Sequence, residues 1–581
     1  MKRLLLGNEA VARGVFEAGV KLVSSYPGTP STEITEYVSN YKGIECEWAP
    51  NEKVAVEAAI GASIAGARSF SAMKHVGLNV AADPLFTSSY IGINGGMVIA
   101  VADDPGMHSS QNEQDSRHYA IAAKLPMFEP SDSKECKEFT KIAYDISEIY
   151  DTPVLIRLTT RVAHSRSVVE ISDREELELL DYVKDTAKNV MLPVFARQRH
   201  ELVEERMKKL SDFAEIISVN SVEYNDRNIG IIAAGDCYNY AKEVMGDKAS
   251  YLKLGMINPL PVKYIKNFAN EVDKLYVIEE LDDIIETHCR KNGIKVIGKE
   301  VFSRCGEISP KIIREILLKE KLEYNMLDCA IPNRPATMCC GCPHRGLFYA
   351  LKKEDVFVSG DIGCYTLGAL SPLFAMDTCI CMGSSISSLH GFNKVRKSES
   401  ESKSVAVIGD STFMHSGITG LIDVVYNSSN SVIIILDNSI TGMTGHQQNP
   451  TTGYNIRNEV AVPVDIEGIC RAIGVKRVVG CDPYDLEQTI STIKKELEVK
   501  EPSVIISRRP CALLNCFKRE TPLSVAKEKC VGCKSCLNIG CPAISFKSDK
   551  AFIDKAQCVG CNLCKGLCKM GAIVNGGTGN E

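Results

Sequence analysis

Residues 404–417 read SVAVIGDSTFMHSG, and residues 431–445 read SVIIILDNSITGMTG. Each stretch contains a continuous apolar run, which is typical of a strand in a parallel sheet that is covered on both faces. The first run ends at Gly409-Asp410, and the second ends just before Asn438. Because ligands bind at the carboxyl ends of such strands, we expect Asp410 and Asn438 to border one site.

An aspartate and an asparagine at this position suit a hard cation. Mg²⁺ prefers six oxygen ligands and commonly bridges a protein to phosphate. The side-chain oxygens of Asp410 and Asn438, a backbone carbonyl near Ile440 and two diphosphate oxygens would fill most of that shell. Gly409 would let the phosphate approach the backbone. The alternative interpretation is that Gly409-Asp410 is an ordinary turn at the end of a strand.

The segment 521–581 contains two cysteine runs of regular spacing. In two-cluster ferredoxins the fourth cysteine of each run binds the other run's cluster. We therefore predict one 4Fe–4S cluster held by Cys530, Cys533, Cys536 and Cys568. The second 4Fe–4S cluster would be held by Cys541, Cys558, Cys561 and Cys564. Two zinc sites are the alternative, but structural zinc usually pairs two CxxC knuckles and not two triplets.

The composition limits the class of protein to which the chain can belong. The 581 residues suffice for several domains, and 45% of them are hydrophobic. A net charge of −6 leaves no basic footprint, so we expect neither a nucleic acid nor a membrane as partner. The apolar stretch near the N-terminus is too short for a signal peptide. Clustered cysteines then indicate metal ligation, and we predict a cytoplasmic protein.

The N-terminal part offers a candidate catalytic carboxylate. Residues 47–70 read EWAPNEKVAVEAAIGASIAGARSF, which predicts a helix that packs closely and has Glu52 in its first turn. The Gly-Asp and Asn strands resemble the thiamine diphosphate signature of the transketolase superfamily, in which a carboxylate from a separate domain acts on the aminopyrimidine of the cofactor. Alternatively, Glu52 only favours the positive end of the helix.

Several longer motifs occur in one order along the chain. They are GNEAVARGVFEAGV (7–20), SSYPGTPSTEI (24–34), NEKVAVEAAIGAS (51–63), MKHVGLNVAADP (73–84), SQNEQDSR (110–117), CCGCPHRGLFYAL (339–351) and SGDIGCYTLG (359–368). With the two strands and the tail, they resemble the 2-oxoacid:ferredoxin oxidoreductases over essentially the whole chain. Within that family, the alpha subunits that act on indolepyruvate are the most similar.

This resemblance implies roles for individual residues. Asp410 and Asn438 match the Mg²⁺–thiamine diphosphate signature, and Glu52 matches the catalytic glutamate. Thr29 matches a threonine that contacts the 2-oxoacid, although a Pro-Gly turn and helix cap would also explain it. Arg117 is a candidate partner of the substrate carboxylate.

The resemblance also implies a third 4Fe–4S cluster beside the thiamine. Its ligands would be Cys339, Cys342, Cys364 and Cys511. Cys516 competes with Cys511 for this role, and Cys340 complicates the choice because the family usually has proline there. We expect the cluster to accept electrons before they reach the tail.

The implied fold class is α/β and multidomain, with doubly wound parallel sheets of the transketolase-like thiamine diphosphate type and a C-terminal α+β ferredoxin-like domain. The predicted domains are a pyrimidine-binding domain (1–165), a connecting segment (166–226), a transketolase C-terminal-like domain (227–325), a diphosphate-binding domain (330–518) and a two-cluster domain (521–581).

The implied reaction is ferredoxin-dependent oxidative decarboxylation of aryl pyruvates such as indolepyruvate to aryl-acetyl-CoA. Ferredoxin and coenzyme A would be partners. A small second subunit corresponding to the gamma domain of pyruvate-oxidising relatives would complete a heterodimer or a pair of heterodimers. Three alternatives stay open: another 2-oxoacid as substrate, a non-oxidative thiamine decarboxylase, and an electron-transfer subunit with a degenerate cofactor site.

Overall fold

The computed structural model describes residues 1–321, 329–332 and 335–576. The chain forms two compact units, Met1–Asp328 and Cys329–Glu581. The division falls in the gap between the predicted domains 227–325 and 330–518. No helix of the described residues is long and apolar enough to cross a membrane.

A seven-stranded sheet forms the centre of the first unit. In spatial order its strands are Met256–Asn258, Met127–Phe128, Val154–Thr159, Met97–Asp103, Ser69–Lys74, Leu22–Ser25 and Glu45–Trp48. All neighbours are parallel except Met256–Asn258, which pairs antiparallel with Met127–Phe128. Every residue of Met97–Asp103 is buried. Because successive side chains point to opposite faces, both faces of the sheet are covered there.

Helices connect these strands, and several begin at a polar cap. The side chain of Asn51 accepts the backbone N–H of Val54, and that of Asp132 accepts the N–H of Glu135. The helices of this part are Gly7–Glu17, Thr32–Ser39, Glu52–Ile64, His75–Val80, Ala82–Ile91, Arg117–Ala123, Ser133–Tyr150 and Thr160–His164. The strand Lys2–Leu6 pairs antiparallel with Arg166–Glu170.

The predicted connecting segment is partly helical, with Thr186–Asn189 and the 22-residue helix Pro193–Ala214. A second sheet follows, with the order Lys274–Ile278, Ile229–Ala233, Ser250–Lys253 and Ser221–Glu223. Its helices are Gly235–Met245, Gly246–Lys248, Val262–Ala269, Ile284–Lys291 and Pro310–Leu317. Side chains of both sheets, such as Ile99 and Leu252, belong to one hydrophobic core.

The second unit contains a six-stranded parallel sheet. Its spatial order is Thr378–Cys379, Phe357–Gly360, Ser404–Gly409, Val432–Asp437, Ser503–Arg508 and Arg477–Cys481. The two strands that the sequence predicted are adjacent and central, with Val405 opposite Val432 and Gly409 opposite Leu436. The helices around it are His344–Glu354, Cys364–Ala369, Ser384–Arg396, Lys397–Glu399, Asp410–Thr412, Phe413–Gly417, Ile418–Tyr426, Ile466–Ile473 and Leu486–Leu497.

The cysteine-rich tail is a small α+β module within the same unit. Leu523–Val525 pairs antiparallel with Ile573–Asn575, and the hairpin expected between the two cysteine runs joins Ile544–Lys547 to Lys550–Ile553. Two short helices, Ser535–Ile539 and Leu563–Gly566, complete it. Its core includes several of the cysteines themselves.

Candidate active site

Asp410 and Asn438 lie at the carboxyl ends of adjacent parallel strands, and both are buried. Asp410 Oδ1 accepts the backbone N–H of Ser411 at 2.8 Å. Among the described residues, Asp410 Oδ2 is buried without a hydrogen-bond partner. An unpaired buried carboxylate oxygen is costly, and a divalent cation would offset that cost. These residues therefore fit the predicted Mg²⁺.

The electrostatics of Asp410 agree with this fit. Burial raises the pKa of Asp410 to about 7, and the charge of Asp437 adds to the increase. A cation at Oδ2 would favour the ionised form, because an opposite charge at short range lowers the pKa of a carboxyl group.

Another Gly-Asp pair, Gly360-Asp361, ends the strand beside Ser404–Gly409, and its aspartate has a different role. Asp361 Oδ1 accepts the backbone N–H of Gly383 at 2.9 Å, and its Oδ2 accepts that of Ser385 at 2.9 Å. Asp361 therefore anchors the start of the helix Ser384–Arg396. Of the two aspartates, only Asp410 has an oxygen left for a metal.

Asn438 begins a tight loop. Its Oδ1 accepts the backbone N–H of the buried Ile440 at 3.4 Å. Its Nδ2 lies 3.5 Å from His344 Nε2. Burial lowers the pKa of His344 to about 4, so the ring is neutral and can accept this N–H. His344 therefore orients the amide of Asn438, a positioning role that its motif alone did not reveal.

Gly409 lies against an aromatic ring. A Cβ at Gly409 would lie 2.8 Å from Cε1 of Tyr365, so the tyrosine ring itself requires glycine here. The hydroxyl of Tyr365 donates to the carbonyl of Ile362 at 3.0 Å and fixes the ring. The approach of a phosphate to the backbone of Gly409 stays a prediction.

The tail cysteines line two small cavities. Cys530, Cys533, Cys536 and Cys568 line one of them. Cys541, Cys558, Cys561 and Cys564 line the other. These are the two sets that crossed ligation predicts.

Backbone donors face three of these sulfurs. The N–H groups of Ala572, Leu523 and Ala551 donate at 3.2, 3.4 and 3.5 Å to the Sγ atoms of Cys568, Cys558 and Cys530, respectively. Hydrogen bonds to the sulfurs stabilise the thiolate charge of a bound cluster.

The zinc alternative fits these cavities poorly. With Zn–S bonds of about 2.3 Å, four sulfurs around zinc lie about 4 Å apart. In the part of the chain that the structure describes, one group of three metal-binding side chains has all its ligand atoms within 4.8 Å of one another. That group is Asp236, Cys237 and Glu280, and it includes no tail cysteine. The tail sets are more open, as ligands of a larger cluster would be.

The four cysteines predicted for a third cluster also converge. Burial raises the pKa of Cys364 to about 11, and the nearby thiols of Cys511 and Cys339 add to it. Burial raises the pKa of Cys342 to about 12, with further contributions from Cys364 and Cys339. Residues up to 172 positions apart in the sequence thus form one thiol group.

This thiol group borders the Asp410–Asn438 site. Cys511 lies close enough to Asp410 for the aspartate charge to raise the pKa of the thiol, although burial and Cys339 contribute more. A Cβ on Gly442, in the loop after Asn438, would lie 3.3 Å from Cys364 Sγ. Cys340, by contrast, lines the cavity of Cys541.

Glu52 lies in the first unit, buried in the first turn of the helix Glu52–Ile64. A Cβ on Gly77 would lie 2.6 Å from Glu52 Oε1. Gly77 therefore makes room for the carboxylate, which explains the glycine of the motif MKHVGLN.

Thr29 and Lys74 each contact Ser109 in the same unit. The carbonyl of Thr29 accepts the hydroxyl of Ser109 at 3.2 Å, and Lys74 Nζ donates to the carbonyl of Ser109 at 3.0 Å. Burial lowers the pKa of Lys74 to about 8, while the charges of Asp104 and Glu52 oppose that change. Sequence reasoning missed Lys74, although a lysine that ends the buried strand SFSAMK was a usable signal.

The prediction for Arg117 needs correction. Its guanidinium is 1% exposed and pairs with Asp115 and Glu279, each at 2.6 Å. It also donates to the carbonyls of Glu280 at 2.8 Å and Asp282 at 3.0 Å. Every nitrogen of the guanidinium has a partner within the protein and the side chain is buried, which disfavours Arg117 as the partner of a substrate carboxylate.

Two family models match the chain. Residues 13–210 match the model described as pyruvate flavodoxin/ferredoxin oxidoreductase, thiamine diphosphate-binding. Residues 361–507 match the thiamine pyrophosphate enzyme C-terminal binding domain. The first match includes Thr29, Glu52 and Lys74, and the second includes Asp410 and Asn438.

Among solved structures, a 2-oxoglutarate:ferredoxin oxidoreductase from Magnetococcus marinus aligns with 55% of this chain and 65% of its own, at 20% identity and a TM-score of 0.47. That similarity is too low to support a conclusion about this protein.

Curated relatives align over nearly the whole chain. The indolepyruvate oxidoreductase subunit IorA of Archaeoglobus fulgidus is 40% identical over 98% of this chain and 97% of its own. The subunit of the same name from Pyrococcus horikoshii is 40% identical over 98% of this chain and 96% of its own. The protein therefore belongs to the family of indolepyruvate oxidoreductase subunits IorA, among the thiamine-diphosphate-dependent 2-oxoacid oxidoreductases.

Proposed function

We propose that this chain binds Mg²⁺–thiamine diphosphate and three 4Fe–4S clusters and catalyses the oxidative decarboxylation of aryl pyruvates. Coenzyme A would take the acyl group, and ferredoxin would take the electrons. The single observation that carries this proposal is the position of four cysteines beside Asp410 and Asn438. A decarboxylase that releases an aldehyde needs no electron acceptor there, whereas an oxidase does.

The residues have distinct tasks in this reaction. When bound, thiamine diphosphate supplies the nucleophilic carbon and the electron sink for loss of carbon dioxide. Asp410 and Asn438 would hold the metal and, through it, the diphosphate. Glu52 would hold a proton at the aminopyrimidine. Its burial keeps water away from that proton.

Lys74 replaces Arg117 in our assignment of the group that binds the substrate carboxylate. Lys74 Nζ has one hydrogen bond to a neutral carbonyl, so donors remain for an anion. The backbone carbonyl of Thr29 accepts the hydroxyl of Ser109, and the side chain of Thr29 would contact the keto group. Together they would orient a 2-oxoacid through the part that all such substrates share.

The proposed aryl substrate and the proposed partner subunit are inferred from the relatives. Both archaeal proteins are named as subunits of indolepyruvate oxidoreductase. We propose the same substrate class here and an obligate small second subunit. If this chain alone turned over arylpyruvate at the full rate, the proposed need for that subunit would be wrong.

The test is an anaerobic assay of the co-expressed complex with a viologen dye. Pyruvate, a branched oxoacid and indolepyruvate are compared, each with and without coenzyme A. We expect dye reduction that depends on coenzyme A and is fastest with indolepyruvate. Aldehyde release without dye reduction would instead support a non-oxidative decarboxylase, and a complex without bound thiamine would support an electron-transfer subunit.

A further inference from the structure

Arg345 is a buried arginine in the motif CCGCPHR, and it is 3% exposed. Its Nε donates to the carbonyl of Cys339 at 3.2 Å, and its Nη2 donates to that of Met338. Its Nη1 donates to the carbonyls of Ile539, at 3.2 Å, and Gly540. One guanidinium thus joins the CxxC segment to the cysteine-rich tail.

All four acceptors are neutral backbone groups. Among the described residues, no carboxylate forms an ion pair with Arg345. Arg117 differs, since it pairs with both Asp115 and Glu279. A buried cation without a counter-charge is expensive, so a nearby anion would stabilise Arg345.

The neighbours that could supply this negative charge are cysteines. Arg345 lines the cavity of Cys541, Cys558, Cys561 and Cys564. Its charge also opposes the burial that raises the pKa of Cys561 and of Cys342. Cys561 belongs to the tail set, and Cys342 to the set beside Asp410. The guanidinium therefore lies between two candidate cluster sites.

We propose that Arg345 is the shared counter-charge of these two clusters and sets both their spacing and their reduction potentials. A 4Fe–4S cluster on four thiolates is an anion, and reduction adds one more negative charge. A fixed cation stabilises the reduced form more than the oxidised form, so it raises the reduction potential. Arg345 is a positioning residue, and it acts through the clusters without contacting substrate.

This inference rests on the cluster ligands of the proposed function, so iron and acid-labile sulfide are measured first in the wild-type complex. About twelve irons per chain are expected for three clusters. A wild-type complex without iron would contradict the proposed function itself. Midpoint potentials from a redox titration followed by EPR then test Arg345 separately.

Three variants are compared in the anaerobically purified complex. Arg345→Met removes the charge and the hydrogen bonds, and Arg345→Lys keeps the charge. Arg206→Met is the matched control, because Arg206 is also buried and donates to the carbonyls of Asp151 and Ser89. Arg206 lines no cysteine cavity among the described residues, so its loss should lower the unfolding temperature without moving any cluster potential.

We expect Arg345→Met to shift the midpoint potential of at least one cluster to more negative values, and Arg345→Lys to stay near the wild type. If Arg345→Met loses a cluster, retention of iron and of the potential in Arg345→Lys would still support the charge role. Unchanged potentials in Arg345→Met would overturn the proposal. Equal shifts in both Arg345 variants, or equal loss of iron in both, would overturn it as well.

Discussion

The backbone N–H of Cys511 donates a hydrogen bond of 2.9 Å to the backbone carbonyl of Asn438. One is a candidate cluster ligand, and the other is a candidate ligand of the cofactor metal. Because a direct peptide contact joins them, an electron that leaves the proposed cofactor would have an acceptor beside it. The two functions are therefore held together by the main chain and do not depend on a mobile side chain.

The first prediction concerns the ligands of the third cluster. Cys511→Ser should lower the iron content from about twelve to about eight per chain, since one 4Fe–4S cluster is lost and the tail clusters remain. Cys516→Ser is the comparison, because Cys516 is exposed and its thiol also lies near Cys511, so it is the competing candidate ligand. Loss of iron in Cys516→Ser and not in Cys511→Ser would show that Cys516, and not Cys511, is the fourth ligand.

The second prediction concerns the metal. Asp410→Ala should weaken binding of Mg²⁺–thiamine diphosphate by at least about 100-fold. Mutation of a residue that only supports a metal ligand typically lowers metal affinity by about 10–100-fold, and Asp410 is proposed to be a direct ligand. Titration calorimetry measures the affinity. The iron content serves as the control for folding of the second unit. Unchanged cofactor affinity would remove Asp410 from the site.

The third prediction separates catalysis from binding at Glu52. Glu52→Gln should lower kcat by about 100- to 10,000-fold, because the proton-transfer group is lost. Thiamine diphosphate affinity should change much less. Glu57→Gln on the same helix is the matched control, since Glu57 is exposed and pairs with Lys53. Full activity of Glu52→Gln in the dye assay would contradict this role.

The fourth prediction compares Lys74 with Arg117. Lys74→Met should raise KM for the oxoacid and leave thiamine affinity nearly unchanged. Arg117→Met should instead destabilise the first unit by about 3–5 kcal/mol, because it leaves buried carboxylates without their partner. Steady-state kinetics and thermal unfolding distinguish the two effects. An unchanged KM in Lys74→Met would exclude Lys74 as the carboxylate-binding group.

The fifth prediction concerns pH. Burial raises the pKa of Asp236 to about 6, with the charge of Glu129 adding and a hydrogen bond from Thr159 opposing. Glu280 is another buried carboxyl group close to Asp236. The charge of Arg157 partly offsets the increase in the pKa of Asp236. The carboxyl group of Asp236 thus binds its proton more tightly in the folded state than in the unfolded state. The resulting stability is complete below about pH 4 and is lost as the pH rises through about 6.

Asp236→Asn should therefore raise stability at pH 7.5 by roughly 1–3 kcal/mol and have little effect near pH 4. Thermal unfolding of wild type and variant at about pH 4 and pH 7.5 measures the difference. An equal loss of stability at both pH values would show that the hydrogen bond from Thr159 matters more than the charge.

Local patterns predicted much of this fold and site. The apolar runs before Asp410 and Asn438 became adjacent central strands, because a run of that length has few other places to be buried. The spacing of the tail cysteines gave the two sets that line its cavities, since that spacing follows directly from wrapping one corner of a cluster.

Interactions across long distances in the sequence were not predictable. Arg117 pairs with Glu279, which lies 162 residues further along the chain. The sequence near position 117 does not indicate that partner. The strand Met256–Asn258 joins the sheet of the N-terminal domain instead of its own. Gly409 accommodates the ring of Tyr365, which only the tertiary packing reveals.

The most direct measurement is the ratio of carbon dioxide released to dye reduced. The complex is supplied with indolepyruvate and coenzyme A in the absence of oxygen. We expect two electrons on the dye for each carbon dioxide, because the acyl product lies two electrons above the aldehyde. Release of carbon dioxide with free aldehyde and unreduced dye would contradict oxidation through the clusters.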